Sequence, residues 1–358
     1  MISTKRLLFN AATFIPGVAQ LPPVKRVFKR HSIGTHGTIE ARYCYSVWLR
    51  HLMCAAANDL DTNPRAVAEL GPGDSIGIGI AAVLTGVERY FAFDVVAHAN
   101  TPRNLAIFDG LVDLFLEQID IPDASEYPRV GPTLKDYRFP GHILTPDRMR
   151  EALDPARLAY VRESIQRTDQ KDSMIQYRAP WSSSGAVEHE TLDLVYSQAT
   201  LEHVDGLPEV YRAMYQWLKP GGYMSHQIDF KCHNSAREWN GHWTYSKLMW
   251  KLVRGKDVWL INRLPYSTHV ELMEKAGFRI VGEQLVRRAS NVRRRQLASQ
   301  FRSIPDSDLT TTDAFVQAVK TVPPKRCQAP IASKRCLTPF TAKSRTRSLP
   351  AQWRCDAR

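Results

Sequence analysis

Ala66-Val67-Ala68-Glu69-Leu70-Gly71-Pro72-Gly73-Asp74-Ser75 runs from five residues that suit a short buried strand into a tight turn built on two glycines. A helix is expected from Ile76 to about Leu84, with Asp74 or Ser75 as its N-cap. Val87-Glu88-Arg89-Tyr90-Phe91-Ala92-Phe93-Asp94 then reads as a second strand ending in a carboxylate. Together they make a βαβ unit: the glycine loop lets a ligand lie close to the backbone, and the second strand delivers an acid to a ribose diol. Asp94 stands 23 residues beyond Gly71, near the spacing that role requires.

The charges of the loop discriminate among nucleotide ligands. A dinucleotide lays its pyrophosphate on the helix N-terminus and wants a third glycine at position 76. That position is Ile76, and Asp74 would set a carboxylate against a phosphate. S-adenosylmethionine has no phosphate and brings a sulfonium and an ammonium, which Glu69 and Asp74 suit.

Three later segments follow in order: Leu192-Asp193-Leu194-Val195-Tyr196-Ser197-Gln198-Ala199-Thr200-Leu201-Glu202-His203-Val204, then Leu218-Lys219-Pro220-Gly221-Gly222, then Ala276-Gly277-Phe278. With Glu69-Leu70-Gly71-Pro72-Gly73 as motif I, this series resembles the class I S-adenosylmethionine-dependent methyltransferases over roughly Val67 to Val286. The resemblance implies an α/β, Rossmann-like sheet, mostly parallel, with helices on both faces, and S-adenosyl-L-methionine as cofactor. It implies that the backbone of Gly71 and Gly73 lies against the methionine part, that Glu69 supports the loop, and that Asp94 accepts from the ribose hydroxyls. Ser197 and Gln198 would line the methyl-donor pocket. Two departures stand out: Ser75 replaces the third glycine of motif I, and Tyr177-Arg178-Ala179-Pro180-Trp181 stands where many relatives carry an acid for the adenine amine. Adenine recognition is therefore expected from backbone groups near Ala179 and from Trp181. In some relatives a divalent ion lies near the Leu-Glu-His-Val segment, but Gln198 and Ala199 supply no further carboxylate, so no metal is expected.

Around this core, Thr101-Pro102 starts a helix continued by Leu105, Phe108, Leu111, Val112 and Phe115. Between it and a third strand at Met174 to Tyr177 lies an insertion, about 119–173, with helix starts at Thr145-Pro146 and Asp154-Pro155. Its two helices are expected over the substrate side or else packed as decoration on the core. After the fifth strand, His226, Asp229, His233, Trp239, Asn240, His242, Trp243 and Tyr245 fall within 20 residues, a density that suggests a substrate pocket with faces suited to sugar-like rings. His226 is expected as the catalytic base, with Asp229 steadying its imidazolium if the strand ends or bulges between them, and His203 is the rival. His233, Asn240, His242 and Trp243 are candidates for substrate contact. Thr268-His269-Val270-Glu271 fits a capping box. Upstream, Tyr43, Val47 and Arg50 share one helical face, and Tyr43 and Arg50 are candidates for closing the pocket.

The chain has 358 residues and a formal charge of +12. From Thr321 to Arg358 there are nine Lys and Arg against one acid, a charge of +8, so the first 320 residues keep only +4. The body is mildly basic and no nucleic-acid partner is expected; a nucleic-acid methyltransferase and a non-catalytic cofactor-binding module attached to a membrane or partner are the alternatives to an enzyme that methylates oxygen or nitrogen of a small molecule, with a sugar or glycan-type acceptor as the first guess. Residues 1–30 hold six positive charges and no acid. They form either a basic amphipathic segment touching an anionic membrane or an ordinary arm packed on the domain. Six cysteines without Cys-x-x-Cys spacing fit a reduced, cytoplasmic protein. The expected organisation is a basic arm and helical cap at 1–60, the methyltransferase domain at 61–290, a C-terminal helical extension at 291–320 and a disordered basic tail at 321–358.

Overall fold

The computed structural model describes residues 4–18, 21–24, 37–181, 184–256 and 260–321. The basic run at 25–30 and the tail from 322 onward lie outside the described residues.

Strand β1 is Ala66–Leu70, β2 Arg89–Phe93, β3 Ile175–Arg178, β4 Leu192–Gln198, β5 Leu218–Asp229, β6 Phe278–Arg287 and β7 Thr311–Lys320. They form one seven-stranded sheet in the order β3-β2-β1-β4-β5-β7-β6. The first five strands pair in parallel, while β7 runs antiparallel between β5 and β6. The order in which successive strands are added reverses between β1 and β4, and the crevice beyond the strand ends at such a switch point is where open α/β sheets bind ligands. All five residues of β1 are buried, since helices cover both sides.

Helix α1 is Thr4–Ala12, α2 Ala41–Ala57, α3 Gly77–Val83, α4 Thr101–Leu116, α5 Pro146–Ala152, α6 Pro155–Gln166, α7 Leu207–Trp217, α8 Lys247–Arg254 and α9 Tyr266–Ala276. One core, with Trp48, Leu52, Ile80, Phe108, Leu111 and Phe115, packs α2, α3 and α4 onto one face of the sheet. A second, with Trp217, Tyr211, Met214, Val195, Met273 and Phe278, packs α7 and α9 onto the other.

The helix starts with proline in their first turn are confirmed for α5 and α6, whose Thr145 and Asp154 side chains accept from Arg148 N and from Ala156 and Arg157 N. Three caps differ from expectation. The cap of α3 is Ile76, Ser75 Oγ accepting from Gly77 N at 3.0 Å one residue earlier. For α4 it is Asn100, ahead of Thr101. Helix α9 begins after Pro265, before the supposed capping box, because Ser267 is drawn to Asp308.

The segment 291–320 is not a helical extension. It holds two short 3-10 turns, Arg294–Gln296 and Ser299–Phe301, followed by β7, which completes the sheet, so the domain does not end at residue 290. Flanked on both edges and covered on both faces, β7 is buried almost throughout and shows none of the alternation that marks a half-exposed strand. Thr321 caps this end, donating through N and Oγ1 to Gly277 O. Helices α5 and α6 take the decoration role: Met149, Val161 and Ile165 enter the first core.

Candidate functional site

A cavity of about 1160 Å³ opens beyond the C-terminal ends of β1, β2 and β4. Its floor is the loop Gly71-Pro72-Gly73, in which Gly71 and Gly73 have φ of +67° and +74°. That backbone favours glycine, and a Cβ on Gly71 would sit 2.5 Å from Thr200 Oγ1. Gly71 N donates to Phe93 O at 2.8 Å, tying the loop to β2. Asp94 follows directly and borders the cavity; its Oδ1 accepts from Val95 N at 2.6 Å and Val96 N at 3.2 Å. Burial pushes the Asp94 carboxyl up, and those N–H groups act against the shift. Trp181 N donates to Asp94 O at 2.8 Å, and its indole lies 5.4 Å from the rings of both Phe93 and Trp217, making an aromatic wall. Gln198 at the end of β4, Tyr43 at the start of α2, and His203 complete the sequence-predicted part of the lining, with Thr200 just beyond β4 beside them.

Other predicted residues lie under the site instead of in it. Glu69 is 1% exposed and accepts from the hydroxyls of Tyr90 on β2 and Tyr196 on β4, the two strands that flank the glycine loop's own strand. Burial pushes its carboxyl up to about 7. Asp74 and Ser75 are buried beneath the loop, where Thr38 receives Asp74 N on Oγ1 at 3.1 Å and the Ser75 hydroxyl on its carbonyl. They therefore anchor the loop and do not face a bound ammonium. Ala179 does not border the cavity, and Ser197 is buried with Oγ 2.8 Å from His226 Nδ1.

That contact overturns the expected base. His226 sits three residues inside the end of β5, paired with Ser197 on one side and Val316 on the other, and is sealed from the cavity. Burial drives its pKa down to about 3. Asp229 does not reach it; its carboxylate faces Lys231 at 3.0 Å and His233 at 3.3 Å. Only His203, of the named candidates, borders the cavity.

The substrate expectations divide as well. Arg50 is wholly buried and donates to the carbonyls of Val130 at 2.6 Å, Pro132 at 2.9 Å and Pro122 at 2.8 Å. It clamps the inserted loop that carries Tyr127 and Arg129 to the cavity mouth. Asn240, His242 and Trp243 are buried in a satellite core with Trp239, Leu297 and Phe301 nearby, so the aromatic density after β5 is packing under a long loop. His233 is half-buried beside His203 without bordering the cavity.

Sequence reasoning missed Thr38, Tyr127, Arg129, Thr200 and Arg254. Thr200 was within a quoted motif, and only its approach to Gly71 gives it a role. Arg129 is exposed at the cavity and forms no ion pair or hydrogen bond with any described residue, whereas Arg254 is paired with Asp205 at 2.8 Å. The fold also bears on the expectation of no metal: where no carboxylate was found beside Gln198, it brings His233 next to Glu202 and His203.

Residues 67–283 match the model of a family described as a methyltransferase domain. A stretch of 109 residues is 28% identical to phosphoethanolamine N-methyltransferase of Triticum aestivum, over 30% of this chain and 19% of that protein. The chain thus matches about a fifth of the length of that curated relative. Among solved structures, an S-adenosylmethionine-dependent methyltransferase of Mesorhizobium loti is 12% identical with a TM-score of 0.35, over 72% of this chain and 91% of that one. Phosphoethanolamine N-methyltransferase 2 of Haemonchus contortus, solved with S-adenosyl-L-methionine, is 14% identical with a TM-score of 0.37, over 77% and 53%.

Proposed function

This chain belongs to the class I S-adenosylmethionine-dependent methyltransferases, with more than half of it matched by the family model, and from that premise we propose that it methylates nitrogen or oxygen of a small polar acceptor. The observation that carries the proposal is the cavity itself: a glycine loop with no room for a Cβ at Gly71, a carboxylate at the end of the adjoining strand and an indole wall all face one space. These residues suit S-adenosylmethionine, which when bound supplies a methyl carbon made electrophilic by a sulfonium. Asp94 would receive the ribose hydroxyls, Trp181 would cover adenine, and the Gly71–Gly73 backbone would bear on the amino-acid end.

The chain's own share of catalysis is alignment, which can contribute about 7–11 kcal/mol when reacting atoms are held in line. Gln198, Thr200 and the inserted loop bound the space in which an acceptor meets the donor. His203, the imidazole that borders the cavity, would take the acceptor's proton, a role worth roughly 10²- to 10⁴-fold.

The wheat relative is named for phosphoethanolamine, and Arg129 at the cavity mouth, unpaired among the described residues, supports an acceptor of that kind: a small amine carrying a phosphate. The basis for a glycan acceptor is gone, because the aromatic cluster behind it is core. Arg129→Ala should raise KM for a phosphorylated amino alcohol about tenfold or more and leave S-adenosylmethionine affinity unchanged, as read by product mass spectrometry and calorimetry. Equal KM for both proteins, or turnover indifferent to the phosphate, would remove this acceptor class.

Cys44, Cys54 and Cys232 are free and buried, which supports a cytoplasmic setting. Among the described residues no helix is long and apolar enough to cross a membrane. Leu8, Ile15, Leu248 and Met249 are exposed on and beside α1 and α8, with Lys247 and Lys251 next to the last two. That combination supports peripheral contact with an anionic membrane face.

A further inference from the structure

His51 on α2 is buried outside the cavity, its ring against those of Tyr196 and Phe315, yet it belongs to a chain of side-chain hydrogen bonds that ends at the cavity wall. Asn58 Nδ2 donates to Gln317 Oε1 at 2.8 Å, and Gln317 Nε2 donates to Ser225 Oγ at 3.1 Å. Ser225 Oγ lies 2.7 Å from His51 Nδ1, and His51 Nε2 lies 3.3 Å from Gln198 Oε1. Gln198 Nε2 then donates to Gly131 O at 3.2 Å. Two main-chain carbonyls, which can only accept, fix the direction of every bond in this chain. At one end Gln317 Nε2 also donates to His51 O at 3.2 Å, so the Ser225 hydroxyl accepts from Gln317 and turns its own proton to His51 Nδ1. The imidazole, which burial keeps neutral with a pKa lowered to about 4, therefore carries its one proton on Nε2 and donates it to Gln198. At the other end Gly131 O sets the Gln198 amide the same way round.

The chain reaches the inserted loop directly after Arg129. Arg50 takes the carbonyls of Val130 and Pro132, and Gln198, held by His51, takes the carbonyl of Gly131 between them. Neighbouring residues of α2 thus hold three successive carbonyls of the loop, Arg50 directly and His51 through Gln198. Gln198 borders the cavity, and its second amide N–H has no partner among the described residues, so it offers the acceptor space a donor. We infer that His51 is a positioning residue for the acceptor: by holding Gln198 it fixes both that N–H and the loop that presents Arg129, two groups that select an acceptor with anionic, hydrogen-bond-accepting oxygens. The use of these groups on an acceptor rests on the methyltransferase reading; the hold of His51 on Gln198 and the loop does not.

Amide hydrogen exchange over residues 127–134 of the full chain, read by mass spectrometry, tests the hold without any acceptor. His51→Phe, which keeps a ring beside Tyr196 and Phe315, should speed exchange there about tenfold. Gln198→Leu should do the same and the double variant should go no further, because both break one link. His51→Gln, which keeps an N–H near the Nε2 position, should restore most of the protection. The ¹⁵N spectrum of the histidine-labelled wild type, with His51 assigned by its absence from His51→Gln, should show the Nε2–H tautomer whether or not His51→Phe folds. With phosphoethanolamine as acceptor, His51→Phe should raise KM about tenfold and change kcat less. An Nδ1–H tautomer, wild-type exchange in His51→Phe, additive effects in the double variant, or an unchanged KM in an active His51→Phe overturns the inference. A wild type that shows the expected exchange and tautomer but binds no S-adenosylmethionine, or methylates no phosphoethanolamine, overturns the methyltransferase or acceptor reading and leaves the hold of His51 on the loop standing.

Discussion

Gly71→Ala is expected to weaken S-adenosylmethionine binding by about 10²-fold while the protein stays folded. Two physical effects combine at this position. The backbone has φ +67°, where a side chain is strained by roughly 1–2 kcal/mol. The new methyl group would also collide with the side chain of Thr200, which is fixed at the end of β4 and donates to Gly71 O at 3.4 Å. The loop can relieve both only by moving into the cavity, and a displacement of about 1 Å in a positioning element is enough for a 10²-fold loss. Calorimetry on the variant checks it. Thr200→Ser, which frees the space of one methyl, should return part of the affinity to Gly71→Ala; equal affinity of Gly71→Ala and wild type would show that the loop does not contact the cofactor.

The fold should be less stable in mild acid. His51, His226, His242 and His269 are buried, and burial lowers their pKa values to about 4, 3, 3 and 3. The unfolded chain takes up protons at these sites as pH falls through about 6.5, and the folded chain does not follow until pH 4 to 3. Stability from these groups is therefore intact above pH 6.5 and is lost below it. Glu69 runs the other way: its carboxyl, raised to about 7, destabilises the fold most above pH 7 and is relieved as pH falls toward 4.5. The four imidazoles alone would lose on the order of 5 kcal/mol between pH 7 and 5.5, and Glu69 together with Glu202, whose carboxyl burial also raises, returns a large part of it without reversing the sign. Urea unfolding at the two values measures it. A flat or rising profile would mean that these histidines are not held neutral, and in Glu69→Gln the loss on acidification should be larger than in the wild type.

These histidines also show what a linear sequence conceals. His226 looked like a base because it follows Gly221-Gly222 and precedes Asp229, but β5 continues to Asp229 and both its edges are paired, so position 226 is inside the sheet. Trp239, His242 and Trp243 looked like a pocket by composition; their partners Leu297 and Phe301 come from some 55 residues downstream, a closure that no local pattern displays. Strand β7 was missed because central strands lose the period-two signal. By contrast the strand, glycine turn, helix and acid of the first unit were legible, since each depends on neighbours in sequence: Gly71, Gly73, Asp94 and Trp181 do face one cavity. Glu69, Asp74 and Ser75 were found for the right segment, yet local spacing does not tell a residue facing the ligand from one anchoring the loop below it.

The central claim is that this cavity holds S-adenosylmethionine through Asp94. Calorimetric titration of the full chain with the cofactor tests it most directly. The account predicts one saturable site per chain, competed by S-adenosylhomocysteine, not by NAD, and weakened by roughly 1 to 3 kcal/mol in a folded Asp94→Ala variant. No saturable binding, or an affinity that Asp94→Ala leaves unchanged, would contradict it.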